Sequence, residues 1–182
     1  MYSGLSISIQ VRYGQKQKKT KGQLFILVCQ NQRVNNMIKL KTILFVEDNP
    51  LDVELALEAL SEYNLANIVV TVGDGAKALD YLCCEGEFKG RNSGNPAVIL
   101  LDIKMPRMDG IETLEAIRNN DKLKHIPVVM LTSSREDPDL KRCYDLGANA
   151  YVVKPVNFRE FMEAVKHIGI FWAVLNEQPP KD

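Results

Sequence analysis

The sequence predicts a doubly wound α/β fold in which a five-stranded parallel sheet carries helices on both faces. Two observations predict it. From Thr42 onward a strand pattern and a helix pattern alternate five times. The central run Ala97-Val98-Ile99-Leu100-Leu101 is apolar throughout and stops on Asp102. Such a run reads as a strand buried on both faces, and the charge that ends it marks where the strand leaves the core.

The elements follow in order. Ile43-Leu44-Phe45-Val46 is a short apolar strand, after which Asn49 caps a helix with Pro50 at its first position and Asp52 and Glu54 in its first turn. Leu51, Leu55, Ala56, Ala59 and Leu60 are expected to form its buried stripe. Ile68 to Val72 is the second strand and Gly75 to Glu85 the second helix. A polar, Gly-rich loop from Glu87 to Asn95 then leads into the central strand, and Gly110 to Asn119 forms the third helix. Ile126 to Leu131 is the fourth strand; Asp137-Pro138 opens a helix that Gly147 ends. Tyr151-Val152-Val153 is the fifth strand, and Asn157 with Glu160 makes a capping-box-like start for the last helix.

The chain has 182 residues, 46% hydrophobic and 25% charged, enough for one domain with a full core. Its zero net charge hides a split. Residues 1–41 carry eight Lys or Arg and no acid, whereas residues 42–182 carry 15 basic and 23 acidic residues, a net charge of −8. An acidic folded part argues against nucleic-acid binding. Residues 1–40 show no useful apolar period and form an N-terminal extension, of which the first 36 residues read as disordered or as an upstream reading-frame artefact, since Met37 is a plausible start; a basic nucleic-acid-binding arm is the alternative. The folded unit spans residues 41–168 and a C-terminal extension residues 169–182. No apolar stretch approaches the roughly 18 residues needed to cross a bilayer, so no membrane association is expected. Cys29, Cys83, Cys84 and Cys143 have neither CxxC spacing nor scaffold density, which reads as free thiols in the cytoplasm.

Chemistry-bearing residues follow the strands. Glu47-Asp48 come after the first, Asp102 after the third, Thr132-Ser133 after the fourth and Lys154-Pro155 after the fifth. In a parallel sheet these ends share one edge, where ligands bind. Clustered carboxylates repel unless a cation joins them, and hard oxygen donors without His or thiolate select a magnesium-like ion. The pattern reads as an acidic metal pocket with one reactive carboxylate.

Glu47-Asp48, Asp102 within LLDIKMPRMDG, Thr132 within MLTSS and Lys154-Pro155 within YVVKP resemble the signature set of response-regulator receiver domains over residues 40–168. VEDNPLDVELALEAL, LTSSREDPDL and the tail HIGIFWAVLNEQPP resemble the small stand-alone regulators paired with phytochrome-type histidine kinases. The resemblance implies a CheY-like, flavodoxin-like sheet of order 2-1-3-4-5. It implies that Asp102 is the phosphoacceptor, charged by a histidine kinase. Mg²⁺ would be ligated by Asp48, Asp102 and the backbone carbonyl of Lys104, with Glu47 acting through a water. Lys154 and Thr132 would bind the phosphoryl group and Tyr151 would switch inward; Lys104 and Ser134 would tune phosphate lifetime. The Lys154–Pro155 bond is expected to be cis.

Phe171, Trp172 and Leu175 belong to a tail with more apolar surface than one amphipathic helix needs, which suggests a homodimer interface. Two rivals share parts of this reading. A dehalogenase-like phosphatase needs a second acid two residues after its nucleophile, where this chain has Lys104, so turnover catalysis is not expected. A flavodoxin-like cofactor binder needs a hydroxyl- and Gly-rich phosphate loop after the first strand, where this chain has acids. Output is expected through protein contacts.

Overall fold

Short apolar runs pair because their backbones find hydrogen-bond partners while both faces find helices. In a computed structural model describing residues 41–91, 94–133, 137–155 and 157–176, the strands β1 (Ile43–Val46), β2 (Val69–Val72), β3 (Val98–Asp102), β4 (Val128–Thr132) and β5 (Ala150–Val153) form one sheet of order β2-β1-β3-β4-β5. Every pairing is parallel. β1, β3 and β4 are buried at every residue, whereas the edge strands β2 and β5 are mostly half-buried. This is the predicted doubly wound sheet. The expected features of residues 1–40, and of the tail beyond residue 176, lie outside the described residues.

Period-two alternation assigns the faces. Ile43, Phe45, Leu100, Val129 and Leu131 point to one side, where α1 (Pro50–Ser61) and α5 (Phe158–Ile170) supply Ala56, Leu60, Phe161 and Val165. Leu44, Val46, Ile99, Leu101 and Met130 point to the other, covered by α2 (Gly75–Cys83), α3 (Gly110–Arg118) and α4 (Asp137–Asp145). Asn49 caps α1 by accepting the Leu51 N–H (3.0 Å), Asp74 caps α2, and Asp109 with Glu112 forms a capping box on α3.

Several elements differ from expectation. Leu51 is 63% exposed, not part of the buried stripe of α1. At about 100° per residue it stands roughly 180° around the helix from the fully buried Leu60, so both cannot face the sheet. β4 begins at Val128, not Ile126, because Pro127 has no N–H for the ladder; its carbonyl still accepts the Ile99 N–H (2.9 Å). Ile68 closes a 3₁₀ turn, Ala66–Ile68, so β2 starts at Val69. At the C-terminal end α5 runs straight into a π-helical turn, Phe171–Leu175, whose Ala173 packs with Ile170 into the α1/α5 core.

One glycine sets how closely α3 approaches the end of β3. The Gly110 N–H donates to the Ile103 carbonyl (2.9 Å), and a Cβ there would lie 2.1 Å from the Asp102 carbonyl oxygen. That neighbour is backbone and cannot swing aside. Gly110→Ala is expected to destabilise the fold by on the order of 2–3 kcal/mol in urea unfolding; an unchanged midpoint would show that α3 can withdraw freely.

Candidate functional site

Parallel register brings the strand ends to one edge. Val46 is level with Leu101, Asp102 with Leu131, and Thr132 with Val153, so Glu47, Asp102, Thr132 and Lys154 reach that edge within a residue of one another. Glu47 extends β1 by donating its N–H to the Val72 carbonyl (2.9 Å), and Lys154 extends β5 by donating to the Thr132 carbonyl (2.6 Å). Glu47, Asp102 and Thr132 are buried, whereas Asp48 is exposed at the mouth.

Lys154 is the hub. Its Nζ lies 2.7 Å from Asp102 Oδ1, 2.5 Å from Glu47 Oε2 and 2.9 Å from Asp52 Oδ2. An ammonium has three N–H donors, so each carboxylate takes one. The second oxygens of the two buried acids are held by backbone: Asp102 Oδ2 accepts the Lys104 N–H (2.8 Å) and Glu47 Oε1 the Asn49 N–H (3.1 Å). Carboxylate oxygens of Glu47, Asp48 and Asp102 all lie within 4.8 Å of one another.

Burial dominates the electrostatics. It raises the Asp102 carboxyl above its ordinary range, and the hydrogen bond from Lys154 only partly offsets this. Glu47 is raised for the same reason, again against Lys154, with the nearby Asp102 charge adding to the rise. Burial alone would depress the Lys154 ammonium, but its bonds to Asp102 and Glu47 outweigh that and lift it above the usual lysine value. Lys154 is thus a fixed cation near neutral pH. One ammonium leaves the acidic cluster under-neutralised, and its hard, closely spaced oxygens suit a divalent cation.

Of the residues picked from sequence, Glu47, Asp48, Asp102 and Lys154 come together, with the Lys104 backbone against Asp102. Thr132 ends the neighbouring strand, and Tyr151 sits half-buried on β5 opposite Met130. Phe171, Trp172 and Leu175 belong to the terminal turn, outside this cluster. Ser134 lies outside the described residues. The expected cis Lys154–Pro155 bond is corrected: no peptide bond among the described residues is cis. The trans form is the intrinsically favoured one, and Lys154 already reaches Asp102 with it.

Two features escaped sequence reasoning. Asp52 was read as a first-turn acid on the helix dipole, yet the tight start of α1 after Asp48 turns it back toward the strand ends and onto Lys154. Its position one turn into a helix that follows two acids was the available signal. Asp74, fully buried, accepts the Lys77 N–H (2.9 Å) and pairs with Arg107, whose φ is +70°. The Gly75 N–H meets the Met108 carbonyl beside this pair (3.3 Å), tying the loop after β3 to the start of α2. Nothing local in the sequence announces a guanidinium at a left-handed position.

Comparison with known proteins agrees with this geometry. The family model for the response regulator receiver domain matches residues 43–166. Response regulator Rcp1 from Synechocystis sp. is 38% identical over 132 residues, 72% of this chain and 88% of that protein. The crystal structure of its Mn²⁺-bound form aligns with a TM-score of 0.70 at 36% identity, covering 77% of this chain and 99% of that one. The phosphorylated cyanobacterial phytochrome response regulator RcpA aligns at 0.71 with 40% identity, covering 78% and 99%. The bacteriophytochrome response regulator RtBRR is 57% identical, with a TM-score of 0.62 and coverage of 78% and 85%. The acidic edge of this parallel sheet therefore has a known context: the chain is a response regulator and belongs to the receiver domain family of two-component signalling proteins.

Proposed function

We propose that Asp102 accepts a phosphoryl group from a phosphohistidine on a phytochrome-type histidine kinase, with Mg²⁺ as the metal, and that the chain signals by protein contacts in the cytoplasm. The observation that carries this reading is the buried Asp102 carboxylate, held 2.7 Å from a fixed cation inside a cluster of acids. Relatives described as a phosphorylated phytochrome response regulator and a Mn²⁺-bound regulator support it.

An Asp102 carboxylate oxygen attacks phosphorus; the O–P bond forms as the P–N bond to the histidine breaks, and the imidazole leaves with the electron pair. Lys154 donates to the transferred group as a fixed charge, not as an acid, because its ammonium holds its proton firmly. Asp48, Asp102 and the Lys104 carbonyl would hold Mg²⁺, with Glu47 acting through a water, and the ion would supply positive charge against that developing on the phosphoryl oxygens. Thr132 re-aims its hydroxyl to a phosphoryl oxygen, Tyr151 follows inward, and the surface formed by α4, β5 and α5 changes. Ser134 and the exposed Lys104 side chain set how readily water reaches the acyl phosphate. Residues 41–168 make up the receiver unit.

The tail is the homodimer surface. Ile170 and Ala173 serve the protein's own core, but Phe171 and Leu175 are 48% and 56% exposed, and Trp172 stands edge-on to Phe171. Such apolar surface is relieved by a second copy.

Four outcomes test these statements. With phosphoramidate and Mg²⁺, the protein gains one phosphoryl group by intact mass and Asp102→Asn gains none; no gain in the unmodified protein overturns the proposal. In thermal unfolding, Mg²⁺ at 100 times its Kd adds about 2.7 kcal/mol, reversed by a chelator. Without metal the sign with pH is distinctive. Asp102 and Glu47 titrate above their ordinary values in the fold, so the native site takes up protons before the unfolded chain does. Their contribution favours the fold most at low pH and is lost as pH rises through the folded values, and Asp102→Asn raises the metal-free midpoint at neutral pH. Finally, joint Phe171→Ser and Leu175→Ser substitution yields monomers in sedimentation with the fold intact; cutting the chain earlier would strip Ile170 and Ala173 from the core. Unchanged association would remove the tail from the interface.

A further inference from the structure

The geometry points to Asp52 as a positioning residue for phosphoryl transfer, the anchor that keeps the Lys154 ammonium at the site while its other two partners are taken away. The inference rests on the phosphoacceptor reading of Asp102. Lys154 Nζ has three carboxylate partners, and only Asp52 stands outside the group of acids whose oxygens come together for a metal. When a cation engages Glu47 and Asp102, and when Asp102 is esterified, two of the three bonds to the ammonium weaken together. Asp52 is untouched by either event.

Its placement suits that task. Asp52 comes from the first turn of α1, which is fixed by the Asn49 cap and by Ala56, Ala59 and Leu60 in the core. Its side chain is 23% exposed, so its remaining oxygen can be solvated, whereas the Lys154 side chain is only 9% exposed and has little water to turn to. A lysine has four rotatable stem bonds, and a charge that has lost its partners leaves for solvent. Asp52 holds it at the mouth, within reach of a phosphoryl oxygen on Asp102. It also relieves competition: an ammonium that can lean on Asp52 yields the Glu47 and Asp102 oxygens to a metal more readily.

The test is a double-mutant cycle on the full chain, comparing the unmodified protein, Asp52→Asn, Asp52→Glu, Lys154→Ala and Asp52→Asn with Lys154→Ala. Phosphoryl uptake from phosphoramidate at saturating Mg²⁺ is read by intact mass, and Mg²⁺ binding alone by calorimetry. Asp52→Asn is expected to slow uptake about fivefold and to raise the Mg²⁺ Kd about threefold, while in the Lys154→Ala background the same change alters either quantity less than twofold. Asp52→Glu restores most of the rate, which loss of a merely structural contact would not predict. If Lys154→Ala does not fold, the contrast between Asn and Glu at position 52 decides the question. Asp52→Asn matching the unmodified protein in both measurements overturns the inference, as does an equal loss with and without Lys154. An unmodified protein that takes up no phosphoryl group overturns the phosphoacceptor reading itself, and this inference with it.

Discussion

The rest of the site depends on one buried ion cluster, in which a single ammonium is shared among three carboxylates at the edge of the sheet. Buried charges of one sign are tolerated only when opposed, and here the opposition is incomplete: Asp102 and Glu47 remain raised although both bond Lys154. The cluster is therefore a standing cost to the fold. Three all-buried strands and two helical layers carry that cost. The unmet demand for positive charge makes the site receptive to a cation and to a reaction in which negative charge is redistributed. Stability is given up where chemistry needs it.

The cluster keeps its geometry because the backbone around it is tied down from several sides. β3 delivers Asp102 from the centre of the sheet, with neighbours on both sides fixing its register. The loop after it is pinned by the Lys104 N–H on Asp102, by Gly110 against Ile103, and by Arg107 on the buried Asp74. Arg107 adopts its left-handed φ of +70° at some conformational cost, offset by a charge-assisted bond to a carboxylate with no solvent exposure. The loop that would present a metal-binding carbonyl is thus a fixed part of the scaffold.

Most of this was legible from the sequence because two simple periodicities determine it. Five apolar runs ending in polar residues require a parallel sheet, and a parallel sheet requires those endings to meet. That reasoning located Glu47, Asp48, Asp102, Thr132 and Lys154. It failed where position around a helix or across a loop decides. Leu51 is apolar but lies on the far side of α1 from Leu60, and a count of apolar residues does not register angle. Asp52 was assigned to the helix dipole because its partner is 102 residues away in sequence. The tail divides finely: Ile170 and Ala173 turn inward while Phe171 and Leu175 turn out, a distinction of angle around the helix that a count of apolar residues misses.

Among the described residues, the ammonium of Lys154 already does for Asp102 part of what a metal would do. It sits within hydrogen-bond distance of Glu47 and Asp102, two of the three acids whose oxygens converge for a cation. At Glu47 Oε2 and Asp102 Oδ1 a cation would gain its oxygen by exchange with the ammonium, whereas Asp48 offers an oxygen that Lys154 does not bond. Such exchange would temper metal affinity, because the gain in ion contacts is measured against ion pairs already made. On the proposed reading, an ammonium loosened from Glu47 and Asp102 would be free to turn to a phosphoryl oxygen. Metal binding and phosphoryl transfer would, on that reading, be coupled through the same three donors of Lys154, with Asp52 holding the lysine from outside the exchanging pair.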